Sequence, residues 1–300
     1  MTAYVEEATD MYPTRASAGV HVELPRREPA VWGGDVPGPW SDDELEAYEQ
    51  RGYATVEGLL SAAEVAADLA ELHRLRSEPM LADDERAIRE RDSDQVRSVF
   101  EVHRISDRLR ALAHDPRLVD RARQILGTDV YIHQSRVNYK PGYGGNGFYW
   151  HSDFETWHSE DGMPAMRALS VSIALTDNHA TNGPLMIMPG SHHGFVPCPG
   201  QTPDDHHRVS LRAQQVGTPG PALVRRLADR HGIDAITGPA GSATFFDSNC
   251  MHGSGDNITP YDRANVFIVY NSVKNTLVDP YGAPKPRPAH IASRDFTPVP

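Results

Sequence analysis

The chain has 300 residues, with 29 Lys+Arg against 41 Asp+Glu and a formal net charge of −12 at pH 7. A chain of this length buries roughly three quarters of its unfolded surface and needs no covalent staples. The acidic balance argues against nucleic acid as a partner, because neutralising phosphates takes a basic face. Two cysteines, Cys198 and Cys250, cannot build a disulfide framework. That points to a reducing, cytoplasmic setting. No stretch is long and apolar enough to read as a membrane span, and the start, MTAYVEEATDMYPTR, does not read as a secretory signal.

Residues 1–40 carry Pro13, Pro25, Pro29, Pro37 and Pro39 with little periodicity. They predict an extended arm, ordered only where it docks on the body or on a second subunit. Helices follow. Ser41 and Glu44 form a capping-box pattern ahead of ELEAYEQ, which Gly52 ends. Ser61 and Glu64 open a second helix, and PRLVDRARQIL (116–126) reads as a third, with Pro116 in its first turn and Gly127 at its end. After Gly127 the period changes to two. Strands are predicted at 130–140, 168–177, 184–190, 242–247 and 265–273, separated by Gly, Pro and Asn turns. Short strands after a helical stretch predict a mainly β protein with flanking helices, a jelly roll or double-stranded β-helix. The expected plan is one domain: the arm (1–40), a mainly helical part (41–127) and a jelly-roll core (128–290). Residues 197–221 form a polar, mobile loop insertion in that core, and the Pro-rich tail is irregular.

Histidine is the commonest metal ligand, so the placement of the 15 histidines matters. His151-Ser152-Asp153 sits inside FYWHSDFETWHSEDGMP (148–164). Read as a strand, this segment points His151 and Asp153 to one face, where both can bind one ion. His252 lies 99 residues after Asp153 and follows the strand-like SATFFD. Two His and one carboxylate with open positions form the facial triad of non-haem Fe(II) oxygenases. Arg263, eleven residues after His252, and Ser254 have the chemistry to hold a distal carboxylate. An isolated H-x-D is a weak signal, and a surface charge at a strand end is the plain alternative for Arg263. The pairs His192-His193 and His206-His207 read as a structural turn and as solvated loop residues. His158 lies off the strand register, and Cys250 reads as a small buried thiol.

The stretch FYWHSDFETWHSEDGMP, with HQSRVNYKPG before it and NCMHGSGDN and Arg263 after it, resembles the ectoine hydroxylases. These form a group in the phytanoyl-CoA dioxygenase-like branch of the Fe(II)/2-oxoglutarate-dependent dioxygenases. The resemblance runs from about residue 40 to about 290. It implies a double-stranded β-helix, with His151, Asp153 and His252 as catalytic ligands of Fe(II). It implies Arg263, Ser254, Phe148 and Asn138 around the co-substrate 2-oxoglutarate, with O₂ consumed. For ectoine, a small ring with an amidinium and a carboxylate, it implies Gln134, Trp157, Phe246, Phe267 and Arg287. Three aromatic rings suit the cation, and an arginine suits the carboxylate. The implied product is 5-hydroxyectoine, a compatible solute made under osmotic stress, and the implied assembly is a homodimer. Three other readings stay open on the residues alone: a hydroxylase of another small amino-acid-like substrate, a metal-binding jelly roll without turnover, and a zinc hydrolase using the same triad.

Overall fold

The computed structural model describes residues 10–15, 22–90, 93–212 and 216–300. The capping signals act as read. Helix Asp42–Arg51 starts at Ser41 and helix Ala62–Arg76 at Ser61, each with a complete capping box. Helix Pro116–Leu126 starts at Asp115 and ends at Gly127 in the left-handed region. Gly52, at φ 77°, also ends its helix left-handed. A Cβ there would overlap the ring of His192 and lie 2.5 Å from Sγ of Cys250, so packing demands glycine as well as backbone.

A seven-stranded sheet has the spatial order Tyr53–Val56, Ala243–Asp247, Ala168–Ala174, Arg263–Ser272, Val130–Lys140, Val96–Phe100, Ala87–Arg89. A four-stranded sheet has the order Asp234–Ile236, Leu185–Ile187, His252–Ser254, Phe148–His151. All pairings are antiparallel. The fold is the expected jelly roll with flanking helices. Alternation gives each central strand of the large sheet two characters. One face presents Val137, Tyr139, Val171, Ile173, Phe245, Val266 and Ile268, which pack with Leu118, Val119, Ala122 and Ile125 of the helix Pro116–Leu126. Each fully buried Leu, Ile or Phe there contributes about 1.5–3 kcal/mol. The opposite face carries polar groups such as Asn138, Ser172 and Asn265, buried between the two sheets. The apolar core therefore lies outside the barrel, under the helices, and leaves the interior free for chemistry.

Several elements differ from the sequence reading. The strand through His151 ends there, and Asp153 opens a four-residue helix, Asp153–Thr156, capped by Ser152. It runs into a π-helical turn, Trp157–Asp161. Ser152 is still extended (φ −104°, ψ 130°), so His151 and Asp153 face the same way for a different reason. Helix Asp107–Ala113, capped by Ser106, helix Pro221–His231, with Pro221 in its first turn and Gly232 at its end, and the strands at 53–56, 87–89 and 96–100 lie outside the elements expected from the sequence. The insertion at 197–221 includes a helical turn, His207–Ser210, and ends where the helix at Pro221 begins; residues 213–215 lie outside the described residues. His206, expected to be solvated, is buried, and His207 is half-buried. The described parts of the arm dock on the body. Tyr12 and Arg15 are buried, and Leu24–Pro25 pairs with Gly194–Phe195; residues 1–9 and 16–21 lie outside the described residues.

Candidate active site

His151 ends one strand of the small sheet and His252 begins its neighbour, and the two are direct partners in the ladder. Asp153, two residues on, turns back over them from its short helix. One donor atom from each of the three lies within 4.8 Å of the others, and all three side chains are buried. His151 Nε2 is 3.7 Å from Asp153 Oδ1, and His252 Nε2 is 3.8 Å from Asp153 Oδ2. These are too long for hydrogen bonds and leave a space the size of an ion bound at about 2.0–2.2 Å from each donor. Nδ1 of His151 faces the Tyr149 carbonyl at 2.7 Å, and Nδ1 of His252 faces the Cys250 carbonyl at 3.0 Å. Donation from each Nδ1 turns the Nε2 lone pair toward the shared point.

Electrostatics favour the ligating forms. Burial, together with the neighbouring His252, lowers the His151 pKa to about 4, so the ring is neutral near pH 7. Burial alone would raise Asp153, but His252, His151, Arg136 and a hydrogen bond from Ser170 (3.2 Å) outweigh it and keep the carboxylate ionised. The donor set fits a divalent ion with open positions.

Beside the triad, one cavity is lined by Arg136, Asn138, Phe148, Leu185, Ser254, Arg263 and Phe267 together with His151 and His252. Arg263 is buried, and its Nε has no hydrogen-bond partner. Burial and the nearby Arg97 lower its pKa to about 10. Directly across the strand pair lies Lys140, also buried, donating to Ser254 Oγ at 2.9 Å and to the Gly255 carbonyl. Burial and Arg263 lower the Lys140 pKa to about 6, so a buried arginine without a counter-charge, beside a lysine able to take up a proton, forms a receptor for an anion. A small dicarboxylate chelating the ion at one end and reaching Arg263 at the other fits this layout. A wider cleft of about 530 Å³ shares Phe148 and Ser254 with the cavity and is lined by Arg97, Tyr149, Trp150, Met186 and Arg212.

The residues implied for ectoine divide into two groups. Phe267 lines the cavity with Arg136 over its ring at 5.2 Å, and Phe246 meets His252 edge-on at 5.1 Å. Gln134 is adjacent, accepting from Arg136 at 3.2 Å and donating to the Ile291 carbonyl at 2.7 Å. Trp157 and Arg287 do not line the cavity. Trp157 is buried edge-on against His133 at 5.1 Å, and Arg287 holds Asp161 with two bonds of 2.8 and 2.5 Å. The other candidates are accounted for elsewhere. His158 bonds the Met163 carbonyl and Asp10, His192 the Glu49 carbonyl, and burial pushes the Cys250 thiol up, 3.2 Å from the Gly52 carbonyl.

Arg136 and Lys140 were missed by the sequence reading. They belong to a period-two polar stripe, Gln134, Arg136, Asn138, Lys140, along one strand whose alternate residues Val137 and Tyr139 are core. That alternation was the available signal.

Comparisons with known proteins agree with this geometry. The family model described as Phytanoyl-CoA dioxygenase (PhyH) matches residues 48–265. The chain is 58% identical over 292 residues to an ectoine dioxygenase of Streptomyces avermitilis, covering 97% of this chain and 98% of that one. A crystal structure of EctD from S. alaskensis with 2-oxoglutarate and 5-hydroxyectoine superposes with a TM-score of 0.85 at 45% identity, covering 95% of each chain. A crystal structure of the same protein with bound Fe gives 0.84 at 44% identity, covering 96% of each. The chain belongs to the phytanoyl-CoA dioxygenase family.

Proposed function

We propose that this protein is an Fe(II)- and 2-oxoglutarate-dependent dioxygenase that hydroxylates ectoine to 5-hydroxyectoine, consuming O₂ and releasing succinate and CO₂. The observation that carries the reading is the buried triad His151, Asp153 and His252 opening onto a cavity that contains the unpartnered Nε of Arg263. Relatives with more than half of their residues identical are ectoine dioxygenases, and the match extends over nearly the whole chain.

Iron and 2-oxoglutarate, when bound, supply the activation of O₂ and the transfer of one oxygen atom. The chain supplies placement. His151, Asp153 and His252 hold the ion from one side. Arg263 and Ser254 grip the distal carboxylate of 2-oxoglutarate, with Asn138 and Phe148 along its length. Phe246 and Phe267 form an apolar wall that keeps water from the reacting C–H bond. Gln134, beside the cavity, and Trp157 and Arg287, which lie outside its lining with Arg287 held by Asp161, are the remaining residues assigned to ectoine. The chain acts as one dioxygenase domain over 1–300, works in the cytoplasm as a homodimer and serves compatible-solute synthesis. Among the described residues no helix is long and apolar enough to cross a membrane.

The test is product formation by anaerobically purified protein given Fe(II), 2-oxoglutarate and ectoine, then air. Equal amounts of succinate and hydroxyectoine, both dependent on iron, are expected. Succinate without hydroxyectoine would reject ectoine as substrate. Absence of both in iron-loaded protein would reject the catalytic reading.

A further inference from the structure

Arg15 is buried where four separate stretches of chain meet. Its Nε and Nη2 bond the two carboxylate oxygens of Glu155 at 2.6 and 2.8 Å, and its Nη1 bonds Glu160 at 3.1 Å. Nη1 also reaches Thr202 Oγ1 at 3.2 Å, and that hydroxyl donates to the Gly282 carbonyl at 2.7 Å. The neighbouring Thr14 adds a 2.6 Å bond to Glu155. Gly217 packs so closely over the guanidinium that a Cβ there would overlap it. Arg15 itself adopts φ 58°, a left-handed backbone that a non-glycine residue keeps only when its surroundings over-determine it. Its N–H donates to the Cys198 carbonyl at 3.0 Å, which fixes that turn.

Glu155 sits two residues after Asp153 on the short helix that runs on into the π-helical turn Trp157–Asp161, and a helical segment this short does not hold its own direction. At its front, Phe154 N–H donates to the Ser248 carbonyl at 2.8 Å, and Ser152 caps it. Behind, the anchor is Arg15. A second arginine of the arm acts on the other ligand. Arg26 is ion-paired with Asp247 at 2.9 Å, both side chains being buried. Asp247 accepts from Asn249 N–H at 2.8 Å in the turn that leads to His252.

We propose that the N-terminal arm is a positioning element of the metal centre, with Arg15 setting the Asp153 helix through Glu155 and Arg26 setting the His252 turn through Asp247. This rests on the iron-site reading above, although it does not depend on the identity of the organic substrate. The acidic residues of the 148–164 stretch thereby acquire a role: Glu155 and Glu160 are the arm's sockets.

The test uses the full chain carrying Arg15→Lys or Arg26→Lys, which keep the charge and lose the two-pronged grip. Fe(II) dissociation constants come from anaerobic competition with a coloured chelator, beside thermal unfolding of the metal-free protein and the KM for 2-oxoglutarate at saturating iron. The expected result is an iron dissociation constant raised about tenfold, as for other partners that orient metal ligands, with the 2-oxoglutarate KM within about twofold of parental. A lowered melting temperature with parental iron affinity would mark a purely structural contact and overturn the proposal. Should a lysine variant fail to fold, the charge-neutral pair Arg15→Gln/Glu155→Gln replaces it and is read by the same rule. Thr14→Val, which removes one donor to Glu155, is measured in every case and should weaken iron binding by less than the arginine variants do; parental affinity in it and in the folded arginine variants rejects the idea. Failure of parental protein to bind iron at all would instead reject the underlying site.

Discussion

Arg263 and Lys140 stand directly opposite each other on neighbouring antiparallel strands, both buried, and among the described residues neither forms an ion pair. Like charges in such a position destabilise a sheet, and burial with Arg263 alongside lowers the Lys140 pKa to about 6. Their retention is explained by a ligand that carries the opposite charge.

The first prediction concerns Arg263. A charge-assisted bond to a carboxylate contributes about 1.5–3 kcal/mol, so Arg263→Gln should raise the KM for 2-oxoglutarate by roughly 10- to 150-fold. The ectoine KM should stay near parental. Removing an unpaired buried cation should also leave the metal-free protein as stable as the parent, or more so, in thermal unfolding. A rise in ectoine KM alone would mean that the two pockets had been exchanged.

Lys140 gives a pH prediction. Burial first, then Arg263 and Arg97, lower its pKa to about 6, against 10.5 for an exposed lysine. Between those values the unfolded chain holds a proton that the folded chain lacks. Folding stability therefore rises with pH across this window, with a slope of up to about 1.4 kcal/mol per pH unit for one proton. The penalty is complete below the folded pKa and absent above pH 10.5. Denaturant unfolding of metal-free protein at pH 6, 7, 8 and 9 should show a shallower slope for Lys140→Met than for the parent. A dianion bound beside Ser254 raises the Lys140 pKa again. Titration of 2-oxoglutarate into iron-loaded protein near pH 7, in buffers of different ionisation enthalpy, should therefore reveal proton uptake that Lys140→Met reduces.

Asp153 gives the third. Asp153→Ala removes one of three ligands and should reduce Fe(II) binding and turnover below detection. The helix it opens is held by the Ser152 cap, by Phe154 to Ser248 and by Arg15 to Glu155, none of which involves its carboxylate. Far-UV circular dichroism and the metal-free melting temperature should match the parent. Iron-dependent hydroxylation by the variant would remove Asp153 from the ligand set.

What the sequence made legible follows from locality. Capping boxes at Ser41 and Ser61, and Pro116 with Gly127, are satisfied within one helix turn, so local pattern suffices. The triad was legible because its first two members are two residues apart and its third follows a recognisable strand. Arg136 and Lys140 become functional only when the strand Val130–Lys140 is paired with Arg263–Ser272, a relation between residues more than a hundred apart. Arg15 and Arg26 carry no motif at all. Their partners Glu155, Glu160 and Asp247 are distant in sequence, and nothing in a Pro-rich arm distinguishes a buried arginine from a solvated one. Asp153 was placed on the correct face through the wrong element, because one extended residue, Ser152, preserves the two-residue alternation where the strand has already ended.

The last prediction separates the two duties of Arg287. Asp161 is fully buried and the Arg287 side chain nearly so, and burial is outweighed by the carboxylate, which raises the arginine pKa. Asp161 also lies 3.4 Å from His133, whose ring packs edge-on against Trp157. Arg287→Met alone therefore leaves a buried carboxylate unpaired, at a cost of about 3–5 kcal/mol, and its effect on ectoine KM would be confounded with unfolding. The charge-neutral pair Arg287→Met/Asp161→Asn removes that cost, since replacing both members of a buried pair is often close to neutral. If Arg287 meets the ectoine carboxylate, the pair should regain most of the parental melting temperature while its ectoine KM stays at least tenfold above parental. The double-mutant cycle then assigns stability to the contact with Asp161 and affinity to the substrate. Recovery of both quantities in the pair would confine Arg287 to holding the tail against the π-helical turn.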